Sequence, residues 1–239
     1  MAEFYVGLDL GQASDFTAAI VLEKLRPERE NRVEQRSRSI PQGETRDGPR
    51  SSLLGSRSFG LVRPEYRVRF AERRRGAPYP EIAAGVRDLL REPPLAGRAS
   101  LVVDATGVGA PVIDALRAFG LRPIAISIHG GAEVRRDLPG RPLGLAFGVP
   151  KRDLVAAVQV LLQSGRLKFA DGLPDLATLK RELLAFKARI DPQTAHDSYA
   201  AWREADHDDL VLAVALACWY ATQARPAPTA LAQAAARGW

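Results

Sequence analysis

Four acidic residues stand at the ends of apolar runs. Asp9 closes Phe4-Tyr5-Val6-Gly7-Leu8, Asp104 closes Leu101-Val102-Val103, and Asp208 with Asp209 opens Leu210-Val211-Leu212-Ala213-Val214-Ala215-Leu216-Ala217. A carboxylate at the end of a buried strand points into the crevice beyond the sheet edge, because its charge is costly to bury among apolar neighbours. Asp9 and Asp104 are 95 residues apart and Asp209 lies a further 105 along, so only a tertiary fold brings them to one crevice. Converging carboxylates repel unless divalent cations neutralise them, which makes a metal-dependent site the leading hypothesis. Two Mg²⁺ or Mn²⁺ ions about 3.5–4 Å apart clamp a phosphodiester during in-line displacement. One lowers the pKa of the attacking water and the other stabilises the leaving oxygen. Aspartate supplies the hard oxygen ligands that both metals prefer, and Asp9 is the expected bridge between the ions.

Each acid also has an ordinary role open to it. Asp9, before Leu10-Gly11, suits the start of a turn, and Asp104 suits a cap on the loop that Gly107 and Gly109 tighten. Asp208 suits a helix N-cap, where the helix dipole favours a negative charge. Asp15 is expected to support the site or its turn rather than ligate directly. Lys151, at the start of a helix, suits a phosphate or an attacking water as well as solvent. Other chemistries find little support. The chain contains no G-x-x-x-x-G-K-[ST], so it has no P-loop of that kind. Ser51, Ser52 and Ser56 have no nearby histidine, which argues against a serine hydrolase.

The net charge is +6 and the pI near 9.8, a balance that favours a polyanionic partner. Nearly all the basic excess is arginine, because lysine occurs only at Lys24, Lys151, Lys168, Lys180 and Lys187. Arginine presents a planar fork of donors that suits phosphate, although GC-rich codon usage also enriches it. Cys218 is the sole cysteine, so the sequence holds neither a disulfide framework nor a zinc cluster. His129, His196 and His207 lack the neighbours of a structural zinc site. No apolar run reaches the roughly 18 residues of a membrane span, and no signal-peptide pattern is present. A soluble cytoplasmic protein is expected.

The elements that must position these residues are legible in the periodicity. Phe4–Asp9 reads as a buried strand, and Thr17–Glu23 as its return partner in a hairpin. Arg26 to about Pro64 carries almost no apolar period and reads as a flexible Arg-rich insertion. Tyr66–Ala71 alternates as a third strand. Strand and helix then alternate, with a helix over Pro80–Arg91, a strand over Ser100–Asp104, a helix over Ala110–Phe119 and a strand over Pro123–Ile128. Helices follow over Lys151–Gln163, Asp175–Ile190 and about Asp208–Ala224, with a short edge strand over Leu167–Ala170. Hairpin strands followed by this alternation predict one α/β domain over residues 1–225, a mixed β-sheet with helices on both faces. The Ala/Pro-rich tail over 226–239 is expected to fray.

Three segments carry a family resemblance. Val6-Gly7-Leu8-Asp9-Leu10-Gly11, with Asp15-Phe16-Thr17-Ala18 after it, resembles the first strand and hairpin of phage terminase large-subunit nuclease domains. Leu101 to Gly109 resembles their second acidic strand, and His207-Asp208-Asp209-Leu210-Val211 their third acidic motif, the most specific of the three. The resemblance implies a ribonuclease H-like fold and cleavage of double-stranded viral DNA during genome packaging. Its metal-binding acids fall on Asp9, Asp104 and the Asp208/Asp209 pair, with Asp209 preferred of the two, and His207 is a secondary candidate. Implied partners are duplex DNA, a terminase ATPase domain, a small subunit and a portal. A complete large subunit carries a P-loop ATPase that this sequence lacks, which fits an excised domain, a split subunit or a prophage remnant. Arg26, Arg29, Arg32, Arg36 and Arg38, together with Arg73, Arg74 and Arg75, are candidates for DNA-backbone contacts. Three other readings stay open: a Holliday-junction resolvase, an actin-like ATP-binding protein (from Asp9-Leu10-Gly11 with Thr17), and a non-catalytic DNA-binding packaging module.

Overall fold

A computed structural model describes residues 2–11, 15–26, 63–106, 109–136, 146–188 and 208–223. The stretch 27–62, most of the expected Arg-rich insertion, lies outside the described residues, as do His207 and the tail from 224. The hairpin is made by β1 (Glu3–Asp9) and β2 (Phe16–Leu25), and β3 (Glu65–Arg75) extends it. Then come α1 (Tyr79–Arg91), β4 (Ala99–Asp104), α2 (Gly109–Ala118) and β5 (Pro123–His129). Two short strands, β6 (Arg135–Arg136) and β7 (Ala146–Pro150), precede α3 (Lys151–Gln163). The described chain closes with β8 (Leu167–Phe169), α4 (Leu176–Ala188) and α5 (Asp209–Gln223).

The eight strands form one sheet in the order β6-β7-β5-β4-β1-β2-β3-β8. β4 and β1 pair in parallel, as do β4 with β5, β5 with β7 and β3 with β8, whereas β2 runs against both neighbours and β6 runs against β7. This is the mixed sheet the ribonuclease H-like expectation calls for. β6 and β7 were not expected from the sequence. Ala146-Phe147-Gly148-Val149-Pro150 contains a glycine and ends in proline, which reads as a turn. Parallel pairing with β5 overrides that local preference.

Strand alternation sorts the core into two halves. Phe4, Val6, Leu8, Leu101 and Val103 pack on one face with α1 and α2, around Ala83, Val86, Ile113 and Leu116. Tyr5, Ile20, Leu22, Val68 and Val102 pack on the other with α3, α4 and α5. α5 is apolar around its whole circumference because the sheet lies under it and α3 and α4 flank it. Ala213 and Ala217 let its backbone settle directly onto β1 at Gly7. At its far end the buried Lys24 ammonium donates to the Ala221 carbonyl at 2.6 Å and sits over the rings of Tyr5 and Tyr66. A cation there meets the negative end of the helix dipole. Lys24 pairs in register with Glu3 at the start of β1, so α5 runs opposite to β1 and its N-terminus lies over the strand's carboxyl end. Among the described residues no helix is long and apolar enough to cross a membrane.

Gly7 is therefore the contact that seats α5. A Cβ there would run into the Ala213 carbonyl oxygen and stand 2.9 Å from its carbon and 3.2 Å from Ala217 Cβ. Those are atoms of a buried helix that cannot swing aside. Gly7→Ala is expected to cost about 3 kcal/mol or more in urea denaturation. A cost within about 1 kcal/mol would show that α5 does not rest on this residue.

Candidate active site at the carboxyl edge of the sheet

Asp9 and Asp104 end adjacent parallel strands. Leu8 pairs with Val103, so the two aspartates fall one residue further along, side by side at a strand spacing of about 4.8 Å. Alternation turns both toward the α5 face. Asp104 is only 4% exposed, and its orientation is fixed locally. Its Oδ1 accepts the Thr106 N–H at 2.7 Å and the Thr106 hydroxyl, whose oxygen in turn accepts the Ile128 N–H at 2.8 Å. One threonine thus ties the end of β4 to the end of β5 and points the carboxylate.

The third contribution comes from α5. Asp208 precedes the helix and its carbonyl accepts the Leu212 N–H at 2.9 Å, which is the backbone position of an N-cap. Asp209 follows in the first turn and is buried. From Ala213, seated on Gly7, the helix climbs about 6 Å back to Asp209, and β1 advances about 6.6 Å from Gly7 to Asp9. The pair of aspartates on α5 therefore reaches the same edge as Asp9 and Asp104.

A fifth acid joins them, one that the sequence pattern does not single out. Glu182 of α4 is 4% exposed, and its Oε2 accepts the Val211 N–H at 3.1 Å in the first turn of α5. Its Oε1 lies 3.3 Å from Nη1 of Arg73, and the same nitrogen lies 4.0 Å from Asp209 Oδ2. Burial pushes the Glu182 carboxyl up to about 7; Asp209 and Asp208 push the same way, against the Val211 N–H and Arg73. Its sequence signal is its place on the apolar stripe of α4, three residues after the buried Leu179. A charged residue at a core position asks for a partner. Thr106 was read only as part of a Gly-rich loop, and no sequence rule separates a supporting threonine from a turn threonine.

Alternation also divides the arginine triplet. Arg73 turns inward, its guanidinium 4.3 Å from the centroid of the Phe16 ring and its side chain 17% exposed. Arg75 lies over the same ring at 5.5 Å, and Arg74 pairs with Glu72. The three do not form one surface patch, although Arg74 and Arg75 keep their places near the edge. Asp15 stands immediately before β2, where its Oδ1 accepts the Phe16 N–H at 2.9 Å. Lys151 begins α3 immediately after β7, at the same edge and two strands along from Asp104.

Among the described residues, the acids at this edge offer carboxylate oxygens, in kind the ligands of Mg²⁺ and Mn²⁺ rather than of a soft metal. Among the described residues, no three acidic, histidine or cysteine side chains are gathered closely enough to hold one ion. The fold brings these acids to one edge without gathering three of the described side chains around one point.

No protein-family model matches the chain, and no curated protein matches it. Among solved structures the chain is similar to the large terminase nuclease from thermophilic phage G20c, at 17% identity and a TM-score of 0.48 over 92% of this chain and 82% of that one. A second structure of that nuclease, with bound zinc, aligns at 18% identity and the same TM-score over 92% and 81%.

The Thr106 hydroxyl has a measurable consequence. Thr106→Val removes the hydroxyl's bonds to Asp104 and Ile128 while keeping the shape and the backbone N–H bond to Asp104, and is expected to cost about 1–3 kcal/mol of stability. Thr106→Ser keeps the hydroxyl and should lose less than about 1 kcal/mol. Equal losses in thermal melts of the two variants would show that the hydroxyl does not carry this role.

Proposed function

We propose that the protein is a divalent-metal-dependent endonuclease acting on double-stranded DNA, the nuclease part of a viral genome-packaging machine. One observation carries the reading: two neighbouring parallel strands and the N-terminus of a buried helix deliver Asp9, Asp104, Asp208 and Asp209 to one edge. The motif resemblance at the same residues supports the substrate and the setting.

Asp9, Asp104 and Asp209 would hold two Mg²⁺ or Mn²⁺ ions, with Asp208 as the alternative to Asp209. The ions supply a water activated near neutral pH and neutralise charge on the phosphodiester during displacement. Asp9, at the end of β1 beside β4 and under the N-terminus of α5, would serve as the shared ligand. Thr106 holds Asp104 in one rotamer, so less ordering remains when the site is loaded. Burial of Asp209 and Asp104 excludes competing water from the acids and strengthens their hold on a cation. Lys151, at the same edge, suits a non-bridging phosphate oxygen. Arg74, Arg75 and the arginines of the 26–38 segment suit the DNA backbone, giving affinity that falls with salt and carries no sequence preference.

The test is conversion of supercoiled plasmid to nicked and linear forms with Mg²⁺, Mn²⁺ or EDTA. Metal-dependent cleavage is expected, with Asp9→Asn and Asp104→Asn each reducing it by about 100-fold or more while leaving the melting transition cooperative. Cleavage that survives these substitutions, or its absence from folded wild type with both metals, would sink the reading. A four-way junction in the same assay separates a junction resolvase, which would prefer it to linear duplex.

A further inference from the structure

Arg73 is the one arginine of the triplet drawn inward, and it stands between two carboxylates of unequal role. Its Nη1 is within hydrogen-bonding reach of Glu182 at 3.3 Å and at ion-pair range from Asp209 at 4.0 Å. Three anchors keep the group in place. The Phe16 ring lies 4.3 Å from the guanidinium, the Arg73 backbone N–H donates to Asp175 Oδ2 at 3.0 Å, and the side chain is largely sealed from solvent. Glu182 is held as firmly, because its second oxygen accepts the Val211 N–H two residues beyond Asp209. A guanidinium and a divalent cation at Asp209 are competitors for one carboxylate. The position of Arg73 therefore bears on how readily the edge takes up a metal.

We propose that Arg73 and Glu182 form an opposed pair that sets the affinity of the acidic edge for a divalent cation, Arg73 screening Asp209 and Glu182 drawing Arg73 away from it. Both are positioning residues, acting through Asp209, and the inference rests on the metal-binding reading above. Glu182→Gln keeps an oxygen for the Val211 N–H but removes the charge that holds the guanidinium. Arg73 then turns to Asp209 and opposes the incoming ion. Removing both charges restores the original net charge and takes away the guanidinium that competes with the ion. A purely structural role predicts something else: the double variant, having lost both partners, would bind no better than the single one.

The experiment is calorimetric titration of the full chain with Mn²⁺ alone at about pH 8, where the Glu182 carboxylate is ionised, with no DNA present. Glu182→Gln is expected to bind Mn²⁺ about three- to tenfold more weakly than wild type, the range of a partly screened charge at this distance. The double variant Arg73→Gln/Glu182→Gln should return to within about twofold of wild type. It also avoids the buried uncompensated glutamate that Arg73→Gln alone would leave, and so folds where that variant fails. Unchanged or tighter binding by Glu182→Gln, or a double variant as weak as the single one, overturns the proposal. Asp104→Asn separates the two levels. If wild type binds Mn²⁺ and Asp104→Asn does not, the metal reading stands whatever the pair does. If wild type binds no Mn²⁺, both fall together.

Discussion

The seating of α5 on β1 is the contact from which the rest of the architecture follows. Gly7 has no side chain, and Ala213 and Ala217 present almost none, so the helix backbone lies against the strand. Any larger residue at these positions would lift the helix and move its N-terminus away from the edge. Burial of Leu210, Val211, Leu216 and Trp219 on α5 contributes roughly 1.5–3 kcal/mol each. Two like charges about 5 Å apart repel by about 3 kcal/mol at an effective dielectric of about 20. A few buried side chains therefore outweigh the repulsion among the acids, and the helix holds Asp208 and Asp209 where electrostatics alone would not leave them. Lys24 on the Ala221 carbonyl fixes the opposite end, so the helix has little freedom to slide along β1.

Charge at the edge is arranged asymmetrically. Asp104 is oriented by a hydroxyl and a backbone amide, both neutral donors. Asp209 instead faces a cation of the protein's own, shared with Glu182. Burial pushes the Glu182 carboxyl up to about 7. Such a group would be an odd choice for stability alone, since a buried charge pair rarely returns its desolvation cost. Its location beside the first turn of α5 ties the sheet, α4 and α5 together at the one place where the acids meet.

Much of this was readable from residue types. Strands ending in Asp9 and Asp104, the hairpin, and the apolar helix opened by Asp208 and Asp209 all announce themselves through local periodicity, and the fold class follows. What escaped was set by tertiary pairing. β7 carries a glycine and a proline that argue locally for a turn, and only β5 alongside makes it a strand. Arg73, Arg74 and Arg75 look like one basic patch in sequence, yet a period of two sends Arg73 to the core face with Phe16 and Arg74 to the other side with Glu72. Glu182 sits in a helix whose other charges are ordinary. Its burial depends on α5 lying beside it, which no window around position 182 contains.

The proposed shared metal site at the carboxyl edge of the sheet is tested most directly by anomalous diffraction from crystals of the full chain equilibrated with Mn²⁺. The expected result is anomalous density between Asp9, Asp104 and the Asp208/Asp209 pair, with Asp9 in contact with each ion present. Density confined to other parts of the surface, in crystals of protein that cleaves DNA in the same buffer, would contradict it.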